Sequence, residues 1–213
     1  MQVIGILGGT FDPVHCGHLR LALEMREQLF LESVRLIPAA HPPHREPPQA
    51  SSETRLRMLA AAVKGVAGLC VDARELARGG RSYTVDTLRS LRQSFPEHAL
   101  CLILGMDAFS GLDRWHRWRE LLELAHIAVA RRPGASLPSD GEVAALLAKC
   151  LAADPQHLGE RSAGYLVLRD IPALNISATR VRTLLAQGQS ARCLVPDSVL
   201  EIITNDRIYA DEK

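Results

Sequence analysis

The chain has 213 residues, 47% of them apolar and 4% aromatic, which allows a sizeable core packed mainly from aliphatic side chains. Lys and Arg number 25 against 24 Asp and Glu, a formal charge of +1. That balance argues against a general nucleic-acid coat or a binder of acidic membranes, while leaving room for a local basic pocket.

In chain order, QVIGILG (residues 2–8) is a short, β-branched apolar run ended by glycine, and it reads as a buried strand. The opening MQVIGILGG has neither a basic start nor a small-residue cleavage site, and no apolar run approaches about 18 residues, so a reducing cytoplasm without membrane attachment is expected. HLRLALEMREQLF (18–30) places Leu19, Ala22, Leu23, Arg26, Leu29 and Phe30 on one mostly apolar helical face. SVRLIP (33–38) is a second strand, stopped by Pro38. Residues 39–52 hold four prolines and read as a long irregular loop, of the kind that binds or covers ligands.

A helix is predicted over 53–65, a strand over 69–73, a helix over 84–95 with Val85, Leu88, Leu91 and Phe95 on one side, and a strand over 99–105. A helix over 118–125, a strand over 126–131, a turn at Pro133-Gly134, a helix over 141–152 and a strand over 165–168 follow. Two short helices near 178–187 and 196–204 close the chain. Cys16, Cys70, Cys101, Cys150 and Cys193 form no CxxC pair, so neither a disulfide framework nor a zinc finger is expected, and Cys70 and Cys101 read as small core residues.

Strands alternating with helices predict an α/β fold: a Rossmann-like, doubly wound, mainly parallel sheet with helices on both faces. A single domain over residues 1–213 is expected, with a small helical part from about 175 onward. Such sheets bind ligands beyond the carboxyl ends of their strands, at a topological switch point.

GGTFDPVHCGH (8–18) lies at one of those ends. Gly8 and Gly9 let the backbone approach a ligand, Asp12-Pro13 is a turn pair, and His15 and His18 share one face of the first helical turn. Imidazoles beside the unpaired N–H groups of a helix start suit phosphate oxygens. The order GILGGT differs from the GxGxxG dinucleotide fingerprint, and GxxxxGK[ST] is absent. Two other readings of HCGH are a transition-metal site, which lacks a third ligand cluster nearby, and a pair of helix-capping histidines. No protein-held metal is expected.

ISATRVR (176–182) combines hydroxyls and guanidiniums at a predicted helix start, a set that suits triphosphate, although the same residues could form a capped surface helix.

The first stretch resembles the signature of the HxGH nucleotidyltransferases, and Ile176, Ser177, Thr179 and Arg182 are similar to their ISxTxxR second phosphate clamp. The likeness runs almost end to end with one branch, the bacterial nicotinate mononucleotide adenylyltransferases. That resemblance implies transfer of the adenylyl group of MgATP to nicotinate mononucleotide. It implies catalytic roles for His15, His18 and Arg182, and ATP contacts from Gly8, Gly9, Thr10, Phe11, His15, His18, Gly105 and Asp107 of LGMDAF (104–109), Ile176, Ser177, Thr179 and Arg182.

It also implies acceptor contacts from His44 and Arg45 of IPAAHPPHRE (37–46), Tyr83 and Thr84 of GRSYTVDTL (80–88), Trp115 and His116 of DRWHRW (113–118), and Arg132 of RRPG (131–134). The branch often has asparagine where this chain has Ala39 and Ala40. Trp115 is expected to stack on the pyridinium ring while Trp118 enters the core. Mg²⁺ is expected with ATP, no nucleic acid as partner, and self-association is compatible with the resemblance. An adenylyltransferase for another acceptor, such as nicotinamide mononucleotide or phosphopantetheine, and a catalytically silent nucleotide sensor are the alternatives.

Overall fold

The structure is a computed structural model that describes residues 1–42, 46–131, 136–152, 154–172 and 174–210. Its centre is a six-stranded sheet of β1 (Val3–Gly9), β2 (Ser33–Pro38), β3 (Leu69–Val71), β4 (Ala99–Gly105), β5 (His126–Arg131) and β6 (Leu166–Asp170). All neighbouring pairs are parallel and the spatial order is β3-β2-β1-β4-β5-β6. The chain winds outward from β1 to one edge, then crosses back to β4 and winds to the other. The carboxyl ends of β1 and β4 therefore form the switch point, because the connections leaving them go to opposite sides.

Side chains alternate across this sheet with the period of two that a strand imposes. Val3 and Leu7 of β1, Cys101 and Ile103 of β4 and Ala128 of β5 join one buried cluster. Ile4 and Ile6, Leu100 and Leu102, and Ile127 and Val129 join the other. The first cluster is covered by α1 (Cys16–Gln28), α2 (Ser52–Val63), α8 (Ala178–Ala186) and α9 (Asp197–Asn205), through residues such as Met25, Leu59, Val181 and Ile203. The second is covered by α4 (Thr84–Ser94), α5 (Met106–Ser110), α6 (Leu121–Leu124) and α7 (Gly141–Cys150), through Leu88, Phe109, Leu121 and Leu147. Gly5 lies in the middle of β1 because a Cβ there would meet the side chains of Leu31 at 2.8 Å and Val34 at 2.9 Å.

Several expectations need adjusting. Helix α1 begins two residues early and ends at Gln28, so Phe30 falls beyond it in a left-handed conformation (φ 53°) and is 72% exposed instead of packed. Met25 takes the buried place on that face. Cys101 is buried as expected, and burial pushes its thiol up to about 12, whereas Cys70 is only half-buried. The stretch 118–125 is a 3-10 turn (Trp118–Glu120) followed by the four-residue α6. Short α3 (Arg74–Arg78) and α5 escape the periodicity because neither is long enough to show a full apolar face. Among the described residues no helix is long and apolar enough to cross a membrane.

Candidate active site

Beyond the carboxyl ends of β1 and β4 opens a cleft of about 1130 Å³. Its walls bring together Gly8, Gly9, Thr10, Phe11, His15 and His18 from the first motif, Gly105 and Asp107 after β4, and Ile176, Ser177, Thr179 and Arg182 from the second motif. Tyr83, Thr84, Trp115 and His116 line the same cleft. His44, Arg45 and Arg132 lie outside the described residues.

The first motif is built by backbone geometry. Gly9 ends β1, and a Cβ on it would stand 3.0 Å from the Phe11 ring, which is itself buried in a left-handed turn (φ 50°). The chain then passes through Asp12-Pro13 and enters α1 with His15 as the N-cap in extended conformation. The His15 and His18 rings stack with centroids 3.6 Å apart, and Phe11 meets His18 edge-on at 5.0 Å. The His15 backbone N–H donates to Nδ1 of His18 at 3.2 Å. A ring nitrogen that accepts cannot carry the proton, so this bond assigns the His18 proton to Nε2.

His15 is buried, its Nδ1 has no hydrogen-bond partner among the described residues, and desolvation lowers its pKa from 6.5 to about 4. It is therefore neutral at pH 7, and an arriving anion would favour its protonation. Gly17 makes room for this arrangement, since a Cβ there would stand 3.0 Å from His15 Nδ1 and 3.6 Å from the Ile176 carbonyl.

Ser177 is the N-cap of α8 and accepts from the Arg180 N–H at 3.2 Å. Arg182, one turn further on, reaches back 170 residues and donates Nη1 to the backbone carbonyl of Asp12 at 2.7 Å. The two helix starts thus point their partial positive charge into one cleft, with a guanidinium and two imidazoles between them.

On the opposite wall Tyr83 is the N-cap of α4 and Thr84 its first residue. The Tyr83 ring lies against His116 with centroids 4.3 Å apart. Trp118 is 9% exposed and belongs to the core, as expected, while Trp115 is half-buried, packed against that core and lining the cleft. Asp107 does not cap α5; Gly105 does, and Asp107 sits exposed in the first turn.

Four residues here were passed over by the sequence reading. The Asp12 carboxylate is 4% exposed and accepts from the Gln49 N–H (2.8 Å), the Ala50 N–H (3.0 Å) and the Tyr209 hydroxyl (2.6 Å). Arg55 is 1% exposed and donates to the carbonyls of Thr10 (2.8 Å) and Ala39 (2.7 Å), tying the first motif to the start of the proline-rich loop. Glu75, buried on the cleft wall, accepts from the Thr87 hydroxyl. Arg55 did leave a signal: it stands three, four and seven residues before Met58, Leu59 and Ala62, on the apolar stripe of α2. Asp12 was legible only as half of a turn pair, not as a buried acceptor, and Tyr209 left no signal.

A doubly wound parallel sheet whose switch point carries two converging helix starts, an imidazole pair and an arginine defines an α/β protein of the nucleotide-binding class. More narrowly, the chain belongs to the cytidylyltransferase-like family, which it matches over residues 6–184. It is 46% identical over 209 residues to a Methylococcus capsulatus protein named a probable nicotinate-nucleotide adenylyltransferase, covering 98% of this chain and 100% of the relative. A Pseudomonas entomophila protein of the same name is 51% identical, covering 97% and 94%. The fold is similar to that of a Plasmodium falciparum nicotinic acid mononucleotide adenylyltransferase complexed with NaAD, with a TM-score of 0.73 at 14% identity and 98% of each chain covered.

Proposed function

We propose that this protein transfers the adenylyl group of ATP to the phosphate of nicotinate mononucleotide, giving deamido-NAD and pyrophosphate in NAD biosynthesis. The observation that carries the reading is the Arg182–Asp12 contact, which joins the HxGH and ISxTxxR segments around one cleft. Full-length likeness to relatives named nicotinate-nucleotide adenylyltransferases supports the choice of reaction.

A phosphate dianion is already a nucleophile, so the reaction needs positioning and charge stabilisation more than a strong base. An oxygen of the acceptor phosphate attacks the α-phosphorus of ATP in line. The bond to the α,β-bridging oxygen breaks, and its electron pair leaves with pyrophosphate. His18, with its proton on Nε2, donates to the α-phosphoryl oxygens as charge builds. His15, Thr10 and the start of α1 hold neighbouring oxygens. Ser177, Thr179 and Arg182 take the departing β- and γ-phosphates, and Gly8, Gly9, Phe11, Gly105, Asp107 and Ile176 shape the ATP side.

Mg²⁺ belongs to the substrate as MgATP, where it neutralises phosphate charge. The Asp12 carboxylate already accepts from three donors, so it is not free to hold the ion. On the acceptor side the flat pyridinium cation stacks on Trp115, with Tyr83 and His116 beside it. The N–H groups at the start of α4, by Thr84, suit the nicotinate carboxylate and would be poorly served by a neutral carboxamide. His44, Arg45 and Arg132 are assigned to the acceptor phosphate and nucleotide from their sequence positions alone. The reading takes residues 1–213 as one catalytic unit working in the cytoplasm, with no nucleic-acid partner.

The test is pyrophosphate release from MgATP with a panel of acceptors. Release with nicotinate mononucleotide, at least about tenfold faster than with nicotinamide mononucleotide, is expected. Equal rates with phosphopantetheine, or no release with any acceptor, would reject the proposal.

A further inference from the structure

The carboxy-terminal turn reaches Asp12, a residue of the cleft wall. After α9, Arg207 and Tyr209 both adopt left-handed conformations (φ 52° and 64°), which fold the chain back toward the sheet. Helix α9 itself is fastened to α2: Ser198 donates to the Ala61 carbonyl at 3.2 Å, and Asp206 pairs with Arg57 at 2.8 Å. The result is that the Tyr209 hydroxyl donates to Asp12 Oδ1 at 2.6 Å, across 197 residues of sequence.

Asp12 is a branch point. Its carboxylate holds the Gln49 and Ala50 N–H groups at the end of the proline-rich loop, its backbone carbonyl holds Arg182 Nη1, and the same guanidinium stands 3.9 Å from Oδ2. Moving the Asp12 peptide therefore moves Arg182. A carboxylate this buried keeps its place only while its donors do.

We infer that Tyr209 is a positioning residue: its hydroxyl fixes Asp12, and through Asp12 it sets the aim of the Arg182 guanidinium on the phosphate chain. The tail of the protein thereby belongs to the phosphate clamp without touching substrate. Burial and the facing Asp12 raise the Tyr209 pKa from its ordinary value, which keeps the phenol protonated and able to donate. The inference deepens the reading of the cleft as an ATP site and rests on it.

The experiment is a double-mutant cycle of Tyr209→Phe and Arg182→Ala, with all four proteins assayed at a temperature where circular dichroism shows each folded. Tyr209→Phe alone is expected to lower kcat about tenfold, with the KM for nicotinate mononucleotide changed less than about twofold, because the clamp acts on the departing pyrophosphate. In the Arg182→Ala background the same substitution should change kcat less than about twofold, since nothing is left to aim. Tyr209→His, whose ring N–H can donate in place of the phenol, should recover part of the loss. Multiplying effects in the double variant, or an equal loss in both KM and kcat, would overturn the inference.

Calorimetric titration of inorganic pyrophosphate into the same four proteins reads the cycle without turnover. There Tyr209→Phe should weaken binding about fivefold when Arg182 is present and by less than about twofold when it is absent. Wild-type protein that binds pyrophosphate with this coupling, yet releases none from MgATP and nicotinate mononucleotide, would refute the proposed reaction while upholding the latch.

Discussion

Replacing His18 by alanine separates its chemical role from its structural one. Besides its ring contacts with His15 and Phe11, the side chain accepts the His15 N–H through Nδ1 at 3.2 Å, and this bond leaves the proton on Nε2 as the proposed donor for phosphoryl oxygen. Losing the Nδ1 bond removes one cap-like interaction from the start of α1, a cost of about 1 kcal/mol, or roughly 2–4 °C in Tm for a chain of this size. Losing the Nε2 donor removes one preorganised donor from the transition state, worth about 10²–10³ in kcat, or roughly 2.7–4 kcal/mol.

The two effects differ enough in size to be read apart. Calorimetric melting should show a small shift, while steady-state pyrophosphate release at saturating MgATP and nicotinate mononucleotide should fall at least a hundredfold on that same scale. The KM for ATP should move little, because the neighbouring helix N-terminus and Arg182 still bind the ground state. A folded variant with kcat within about threefold of wild type would remove His18 from the transition state and with it the argument from tautomer and geometry.

Trp115→Ala should raise the KM for nicotinate mononucleotide at least about tenfold more than that for ATP, because in the proposed site the indole stacks only on the pyridinium; parallel shifts in the two constants would deny the stacking role. Because His15 is held near pKa 4 by burial against 6.5 when unfolded, the unfolded chain binds more protons between those values, so stability should fall as pH drops from about 6.5 toward 4. Up to about 3 kcal/mol is involved, and denaturant melts at several pH values should show a flatter profile for His15→Asn; an unchanged slope would mean that His15 is not the group responsible. Gly17→Ala should gain roughly 1 kcal/mol of helix propensity but push a Cβ to 3.0 Å from His15 Nδ1, so Tm should hold or rise while kcat falls about tenfold. Retained turnover in that variant would show that the His15 ring can move freely.

Most of the wall of the cleft could be read in advance because its parts are local. Gly8 and Gly9 at a strand end, two histidines three residues apart at a helix start, and Ser177 before α8 each carry their meaning within a few residues. The order of strands and long helices was equally legible, since an apolar period of two or 3.6 is imposed by the backbone of each element separately. Where that period had too little length to develop, as in the five-residue α3 and α5, or where a left-handed turn released Phe30 from its face, the pattern misled.

What the amino-acid sequence determined alone was the sheet's kind, the two motif segments that line the cleft and the burial of Trp118. What tertiary structure decided was how those segments are held against each other. Arg182 meets a backbone carbonyl at Asp12, Arg55 meets two more, and Tyr209 meets a carboxylate nearly the whole chain away. A carbonyl is the same at every residue and so leaves no mark in the sequence. Which one an arginine finds is settled only when the sheet closes its switch point and brings Asp12, Arg182 and Tyr209 together.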